Sequence, residues 1–577
     1  MGDGTGGIMV GIDFGTSTSE AAYVDGKGRL VMVPNHEGAL ITPSAVHIAE
    51  DGTVTVGREA KERALLEPGC TFLEVKRLFG KQAKLRAWGK EYAPADIAAM
   101  LIKYLVGCAE RHSGREVREA VITVPAYFTD GQRREIIAAG SAAGLEVRRI
   151  LNEPTAASLD YGADHMEECR NVLVYDLGGG TLDVTVLELF EGVVDVRATR
   201  GNSELGGKDF DEALAAHLRG LLKKESGADA AGDPRAMMRL KMAAEECKMA
   251  LSEGRERAVA LPFLAEKGGA PVGLEATVTR ELFEGLIRGM VMSTKAQVDA
   301  ALGDAGLAPA DVDLVLLVGG STRVPLVRDF LEDEYGFSPE SAVDADLAVV
   351  RGAAVQAGVL SGAIGGGGIV LTDVCPHSLS AASLTADSEH RGDLRCKVII
   401  PRNTVLPAER AETFFTAADN QTTVLVTAYQ GESDMPDDNT LLGSFMMTGI
   451  PRARASKEAI NIKFAYDLNG ILNIGADVVS TGKSADITVD AAQAGDADLS
   501  AWKKSPLAGT YRRLLNRADR LAKLRGRDAR AVSAAAERLK RGLVLGWDGE
   551  ALRAYADYLE SDIEDLLEDE GEGDGRA

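Results

Sequence analysis

The feature that most constrains this chain is a pattern written twice. Val10-Gly11-Ile12-Asp13-Phe14-Gly15-Thr16-Ser17-Thr18 runs from an apolar strand through an aspartate into a glycine turn and a row of hydroxyls. Val174-Tyr175-Asp176-Leu177-Gly178-Gly179-Gly180-Thr181-Leu182-Asp183 repeats the device. Glycine lets backbone N–H groups approach phosphate oxygens without a Cβ in the way, and the hydroxyls add neutral donors. An aspartate beside such a turn repels phosphate but can hold Mg2+, directly or through its waters. One loop of this kind reads equally well as a tight hairpin turn. Two of them, facing each other, would clamp a triphosphate from both sides. A third element, Leu314-Val315-Leu316-Leu317-Val318-Gly319-Gly320-Ser321-Thr322-Arg323, ends an apolar strand in two glycines ahead of a helix. Small residues there admit a flat base, and Arg323 is available to stack on it. The chain has neither the Walker A pattern nor a G-x-G-x-x-G with a downstream acid, so a nucleotide site of another architecture is required.

From Ile8 to about Ser361 strands alternate with helices, which predicts an α/β domain. Strands are expected at Ile8–Phe14, Ala120–Val124, Asn171–Asp176, Thr181–Leu189 and Asp313–Val318. Helices are expected at Pro94–Arg111, Gly131–Ala143, Asp209–Glu225, Pro234–Leu251 and Thr279–Leu302, with Thr129 or Asp130 capping the second. A glycine run, Gly365–Gly368, then interrupts the chain. Beyond it the texture is β, with Asp467–Ile471 reading as a hairpin turn because Asn-Gly tolerates positive φ. Near the end Leu507, Tyr511, Leu514, Ala518 and Leu521, then Leu552, Tyr555, Leu559, Ile563 and Leu566, recur at helical spacing. Past Leu567 the sequence is glycine and acid, and disorder is expected.

Bulk properties narrow the partners. The 577 residues carry 64 basic and 88 acidic side chains, a net charge of −24, which repels nucleic-acid backbones and anionic membranes. Neither is expected as a partner. The six cysteines are scattered without metal-ligand spacing, so reduced thiols are the simpler reading. The first residues lack a basic and an apolar signal region, and no apolar stretch reaches bilayer length, so a cytoplasmic location is expected.

Other strings are specific enough to name a family. Val121-Ile122-Thr123-Val124-Pro125-Ala126-Tyr127-Phe128, Leu151-Asn152-Glu153-Pro154-Thr155-Ala156-Ala157, Lys76-Arg77-Leu78-Phe79-Gly80 and Gly352-Ala353-Ala354-Val355-Gln356 resemble the seventy-kilodalton heat-shock (DnaK-type) chaperones. The resemblance covers roughly residues 8–490. It implies an actin/hexokinase-like ATPase domain (1–362), a linker (363–373), a β-sandwich peptide-binding domain (374–493), a shortened helical lid (494–567) and an acidic tail (568–577). The implied activity is slow ATP hydrolysis that drives binding and release of extended apolar segments of unfolded proteins.

Site residues follow from the same resemblance. Asp13, Gly15, Thr16, Ser17 and Thr18, with Gly178, Gly179, Gly180 and Thr181, are expected around the triphosphate. Asp13 and Asp176 are expected beside Mg2+ and its waters, with K+ as an accessory ion. Lys76 looks like the lysine near the γ-phosphate, and Thr181 and Asp183 like residues that orient the attacking water. Glu153 resembles the glutamate joining the metal site to a relay through Pro125 and Arg133. Glu245, Lys248 and Ser252, with Gly319, Gly320, Ser321, Arg323 and Asp346, are expected to hold the adenosine. Phe414, Val424 and Val426 align with the apolar peptide pocket, and Leu384 and Ala417 with the arch above it. Arg149, Asn152 and Asp373 match J-domain contacts, implying a J-domain co-chaperone, and an exchange factor is a further expected partner.

Departures from the family pattern point to a specialised bacterial paralogue. Glycines occupy the linker ahead of Ile369-Val370-Leu371, which predicts looser coupling between nucleotide and peptide. Few residues follow Asp490, which predicts a lid too short to latch fully and hence faster peptide release. Two alternatives make different demands. A small-molecule kinase would have no use for the β segment, and an ATP-gated exchange factor would enlarge the β-domain loops, whereas Glu432–Asn439 is short.

Overall fold

The computed structural model describes residues 7–567 except 82, 166, 168, 340–342, 365–369, 385–393, 489–498, 523–526, 546–551, 554–555, 558, 561–562 and 565–566. The linker glycines with Ile369, the acidic tail, Tyr555, Leu566 and Asp490 therefore lie outside the described residues. The chain divides into two compact units. The first comprises residues 1–378 with 400–409 and 465–472, and the second comprises 379–399, 410–464 and 473–577.

The first unit is built on two sheets of kindred topology. One runs, in spatial order, Glu146–Asn152, Val117–Val124, Ile8–Phe14, Thr18–Val24, Leu30–Met32. The other runs Leu314–Val318, Arg170–Leu177, Leu182–Phe190, Val193–Asn202, Val370–Val374, Val405–Leu406. In each, the strand ending in the aspartate loop pairs parallel with a later strand on one side and antiparallel with its own hairpin partner on the other. The duplicated sequence pattern is thus a duplicated piece of structure. The strands are nearly continuous apolar runs, as Val172, Leu173, Val174 and Tyr175 show, because both faces are covered.

Most expected elements form near the positions the sequence indicates. The helix Asp130–Ala142 starts at Thr129, whose hydroxyl accepts from Gln132 N–H while the Gln132 side chain accepts from Thr129 N–H at 2.9 Å. This reciprocal box satisfies two otherwise orphaned donors. The stretch 279–302 is not one helix but two, Arg280–Ser293 and Lys295–Ala305. Buried Thr294 sits at the joint. Its hydroxyl donates to Val291 C=O at 2.7 Å and accepts from the Tyr175 hydroxyl at 2.9 Å. A side chain that competes for backbone carbonyls favours such a break.

The second unit holds most of the residues of two four-stranded sheets. One orders Leu394–Ile400, Leu379–Leu384, Thr423–Gln430, Thr440–Thr448, and the other Ala408–Phe415, Ala459–Tyr466, Leu472–Val478, Ser484–Thr488. Helices Ala508–Leu521 and Arg527–Leu545 follow, with further helical residues between Leu552 and Leu567. Tyr511, Leu515, Ala518, Leu539, Leu552, Leu559 and Ile563 share one core, and Leu425 and Met446 of the sandwich pack against it. Leu507 departs from the expected pattern. It precedes the helix and is 41% exposed. Among the described residues no helix is long and apolar enough to cross a membrane.

Candidate functional site

The two aspartate loops, the Gly319–Arg323 turn and the helix Pro234–Glu253 enclose a cavity of about 780 Å³, within the span of roughly 300–1,000 Å³ usual for cofactor sites. The loops face each other closely, since a Cβ on Gly179 would lie 2.1 Å from Ser17 Oγ. Gly319 has φ +81°, and a Cβ there would lie 2.5 Å from Leu177 C=O. Only glycine meets both conditions. Of the expected residues, Asp13, Gly15, Thr16, Ser17, Thr18, Lys76, Glu153, Asp176, Gly178, Gly179 and Thr181 line one end. Glu245, Lys248, Ser252, Gly319, Gly320, Ser321, Arg323 and Asp346 line the other.

The floor concentrates negative charge around one cation. Lys76, 3% exposed, is ion-paired with Glu153, and its ammonium lies 5.9 Å from the Phe14 ring and 5.8 Å from that of Phe128. Asp13 accepts from the Thr123 hydroxyl at 2.8 Å. Burial and the neighbouring Glu153 push the Asp13 carboxyl up to about 7, against the opposing pull of Lys76. Asp176 is raised well above the usual carboxylate range by burial, then by Glu153, Asp183 and Asp13. Asp183, just behind the lining, accepts the Ala126 and Tyr127 N–H groups at 3.2 Å each. Burial and Glu153 still hold it up at about 7. Gly180 also lies behind the lining, where a Cβ would lie 2.8 Å from Thr16 Oγ1.

At the far end Glu245 accepts from Lys61 at 2.6 Å and from Lys208 at 3.1 Å. Burial raises its carboxyl, but the two ammonium groups outweigh burial and bring it down to about 2. Lys248 pairs with Asp211 at 2.8 Å, and Arg323 with Asp346 at 2.5 Å. Ser321 donates to Gly178 C=O at 2.8 Å, tying the third element to the second loop.

Sequence reasoning missed several groups. Thr322, Arg328 and Asp329 line the cavity one turn to either side of Pro325, the first residue of the helix Pro325–Tyr335. Three-to-four spacing from Pro325 was the available signal for Arg328 and Asp329. Glu20 pairs directly with Asp13 across the hairpin, is buried, and has one carboxylate oxygen without a hydrogen-bond partner. Burial and Asp13 raise its carboxyl strongly. Alternation in the strand places it on the Asp13 face, so register was legible there.

The expected coupling residues form a chain. Arg133, buried just beyond buried Pro125, donates to Ala126 C=O at 3.0 Å and to Asn152 Oδ1 at 2.7 Å. Asn152 donates to Asp373 Oδ2 at 2.8 Å. Arg149 is half-buried and acts on Asp373 electrostatically. Asp373 lies in the strand Val370–Val374, which pairs parallel with Val193–Asn202.

The expected peptide-contacting residues have unlike surroundings. Leu384 is 49% exposed, Ala417 is exposed, and Phe414 and Val424 are half-buried. Val426 is buried at 1%. Phe415, absent from the expected set, is 58% exposed.

A cavity of nucleotide size lies between duplicated aspartate loops, and a β-sandwich and a helical segment follow it in the chain. The Hsp70 protein family model matches residues 9–502. The chain is 44% identical over 485 residues to the chaperone protein DnaK of Thermotoga petrophila, covering 84% of this chain and 80% of that one. The DnaK of Thermotoga maritima gives the same figures, and that of Thermosipho africanus is 43% identical over 483 residues, covering 83% and 79%. The chain belongs to the Hsp70 family. It is an ATP-dependent chaperone of the Hsp70 type and an ATPase.

Proposed function

We propose that the cavity floor carries out slow ATP hydrolysis through the residues named above, and that the second unit binds extended apolar client segments. One observation carries this reading: the buried Lys76–Glu153 pair lies among Asp13, Asp176 and Asp183 between two glycine loops. Lys76 places its charge where the γ-phosphate develops negative charge, and electrostatic stabilisation of that kind dominates phosphoryl transfer. Thr181 supplies a hydroxyl and Asp183 a fixed acceptor for positioning the attacking water. Backbone N–H groups of Gly15–Thr18 and Gly178–Thr181 bind the phosphate oxygens.

Mg2+ fits this floor as an ion held mainly by phosphate and water. Among the described residues no three His, Cys, Asp or Glu converge on a common ligating point. The crowded carboxylates of Asp13 and Asp176 are nevertheless poised to accept hydrogen bonds from an ion's waters, as Mg2+ sites commonly use them. When bound, the ion supplies charge neutralisation across the phosphates. K+ fits beside it.

The Arg133–Asn152–Asp373 chain supports a role in passing the nucleotide state to the peptide site and in receiving a J-domain co-chaperone, with an exchange factor completing the cycle. The glycines before Ile369 favour a specialised bacterial paralogue, acting in the cytoplasm, with weak coupling between nucleotide and peptide. The test is steady-state ATP hydrolysis with and without an unfolded apolar peptide. Slow turnover that rises with peptide supports the reading. Turnover unaffected by Lys76→Ala would refute the assignment of the floor.

A further inference from the structure

The helix Ala508–Leu521 has two unlike faces. Tyr511, Leu515 and Ala518 are buried in the helical core. Opposite them Arg512, Arg513, Arg517 and Arg520 are all exposed, at spacings that gather them on one side. Among the described residues none of these four has an ion-pair partner. The one acid on that helix, Asp519, is taken by Lys540 at 2.5 Å.

A run of exposed arginines is usually a solvated face. Here the charge is segregated far beyond that. Residues 503–541 hold 13 Lys and Arg against 3 Asp and Glu, while residues 548–574 hold 12 acids against 1 base. In a chain of net charge −24, the basic face meets its best complement in the stretch that follows it.

Topology brings the two within reach. Short connections make successive helices antiparallel, so a third helical stretch runs in the direction of the first. Arg553 and Asp557, near its start, lie close to the Tyr511 hydroxyl near the start of the first helix. Leu567 therefore falls toward the end that carries Arg517 and Arg520. The next ten residues include Glu568, Asp569, Glu570, Glu572 and Asp574. Ten residues reach at most roughly 33 Å, and Arg512 to Arg520 spans about 12 Å of helix.

We propose that residues 568–577 dock along the Arg512–Arg520 face as a built-in polyanion that keeps external polyanions off the helical segment. Each exposed contact contributes little alone, and salt screens it. Five acids tethered beside four arginines act at high effective concentration.

The test uses the full chain and a fluorescent oligothymidylate of about 20 nucleotides at about 50 mM salt, where polyanion binding is strong. A variant with Glu568→Gln, Asp569→Asn, Glu570→Gln, Glu572→Gln and Asp574→Asn is expected to bind the probe at least about tenfold tighter than the unsubstituted chain. Adding Arg512→Gln, Arg513→Gln, Arg517→Gln and Arg520→Gln is expected to remove the gain. Unchanged helical circular dichroism and basal ATP turnover verify folding. Equal affinity in the first two proteins overturns the proposal, and if both bind tightly the face is an open nucleic-acid surface instead. A gain that survives the arginine substitutions also overturns it, because the acidic segment then covers some other surface.

Discussion

The two units bury different things. The first encloses Lys76, Glu153, Asp176, Asp183 and Glu20 around or behind its cavity. Among the described residues of the second, the buried polar side chains are Ser380, Thr416, Thr427 and Gln430, all neutral. Buried charge is costly unless paired or supplied with a counter-ion, so a protein keeps it only where something is to be bound or transformed. A cleft for apolar segments needs no such expense. Chemistry is therefore concentrated in the first unit and shape in the second, and substitutions in each should fail in different ways.

The largest expected effect tests the charged floor. Lys76→Ala leaves Glu153 buried without its partner, which costs about 3–5 kcal/mol in comparable pairs. It also removes the cation proposed to face the γ-phosphate. We expect the single-turnover rate of ATP hydrolysis to fall by about 10²–10³, the scale seen when one transition-state donor is lost. Denaturant melts of Lys76→Met with Glu153→Gln should recover much of the stability and none of the rate. A double variant as unstable as the single one would show that the pair is not the floor's main liability.

The corresponding test in the second unit separates core from cleft. Val426 is buried, so Val426→Asp strands a charge in the sandwich and should cost several kcal/mol with basal ATP turnover intact. Leu384 is half exposed, so Leu384→Ala should change stability by less than about 0.5 kcal/mol. Its apolar-peptide affinity, read by fluorescence anisotropy, should still weaken about tenfold or more, since even one methylene lost from an apolar pocket costs about 10–200-fold. Equal stability losses in the two variants would make Leu384 a packing residue and erase the distinction.

The same contrast explains what was legible. Asp13, Asp176 and the glycines between strands announce themselves, because a carboxylate beside glycines that let two loops approach closely, as Gly179 approaches Ser17, has few other uses. Lys76 and Glu153 lie 77 positions apart and carry no local signal. Only the surrounding strings Lys76–Gly80 and Leu151–Ala157 marked them. In the sandwich, period-two alternation assigns Val424 and Val426 to one face and Leu425 to the other. It says nothing of depth, and Val424 is half-buried where Val426 is closed off. The break at Thr294 escaped notice because apolar spacing continues through it. Only the Tyr175 hydroxyl, 119 positions away, shows why that threonine is placed there.

A smaller effect probes the chain leading away from the floor. Asn152→Ala removes the link between Arg133 and Asp373, leaving buried groups short of a partner at a cost of about 1–3 kcal/mol. Basal hydrolysis should hold within about threefold, while its stimulation by peptide is lost. Stimulation that persists would place the coupling elsewhere.

The smallest effect is a matter of protons. The Asp183 carboxyl sits at about 7, raised by burial and Glu153 from an ordinary 3.8. Between those values the folded nucleotide-free protein binds more protons than the unfolded chain, so this group's contribution is complete below about pH 3.8 and is lost as pH rises through about 7. Asp183→Asn removes that dependence. The variant should therefore gain on the parent by up to about 1.4 kcal/mol per pH unit between roughly pH 5 and 7, and no further above that. Hydrogen exchange can read the two units separately. Protection of Leu182–Phe190 should fall with rising pH after correction for intrinsic exchange, whereas that of Thr423–Gln430 should stay level, because its unit buries no carboxylate among the described residues. Parallel pH profiles in the two strands would mean that the units unfold together, and the contrast in buried charge would then be invisible to stability.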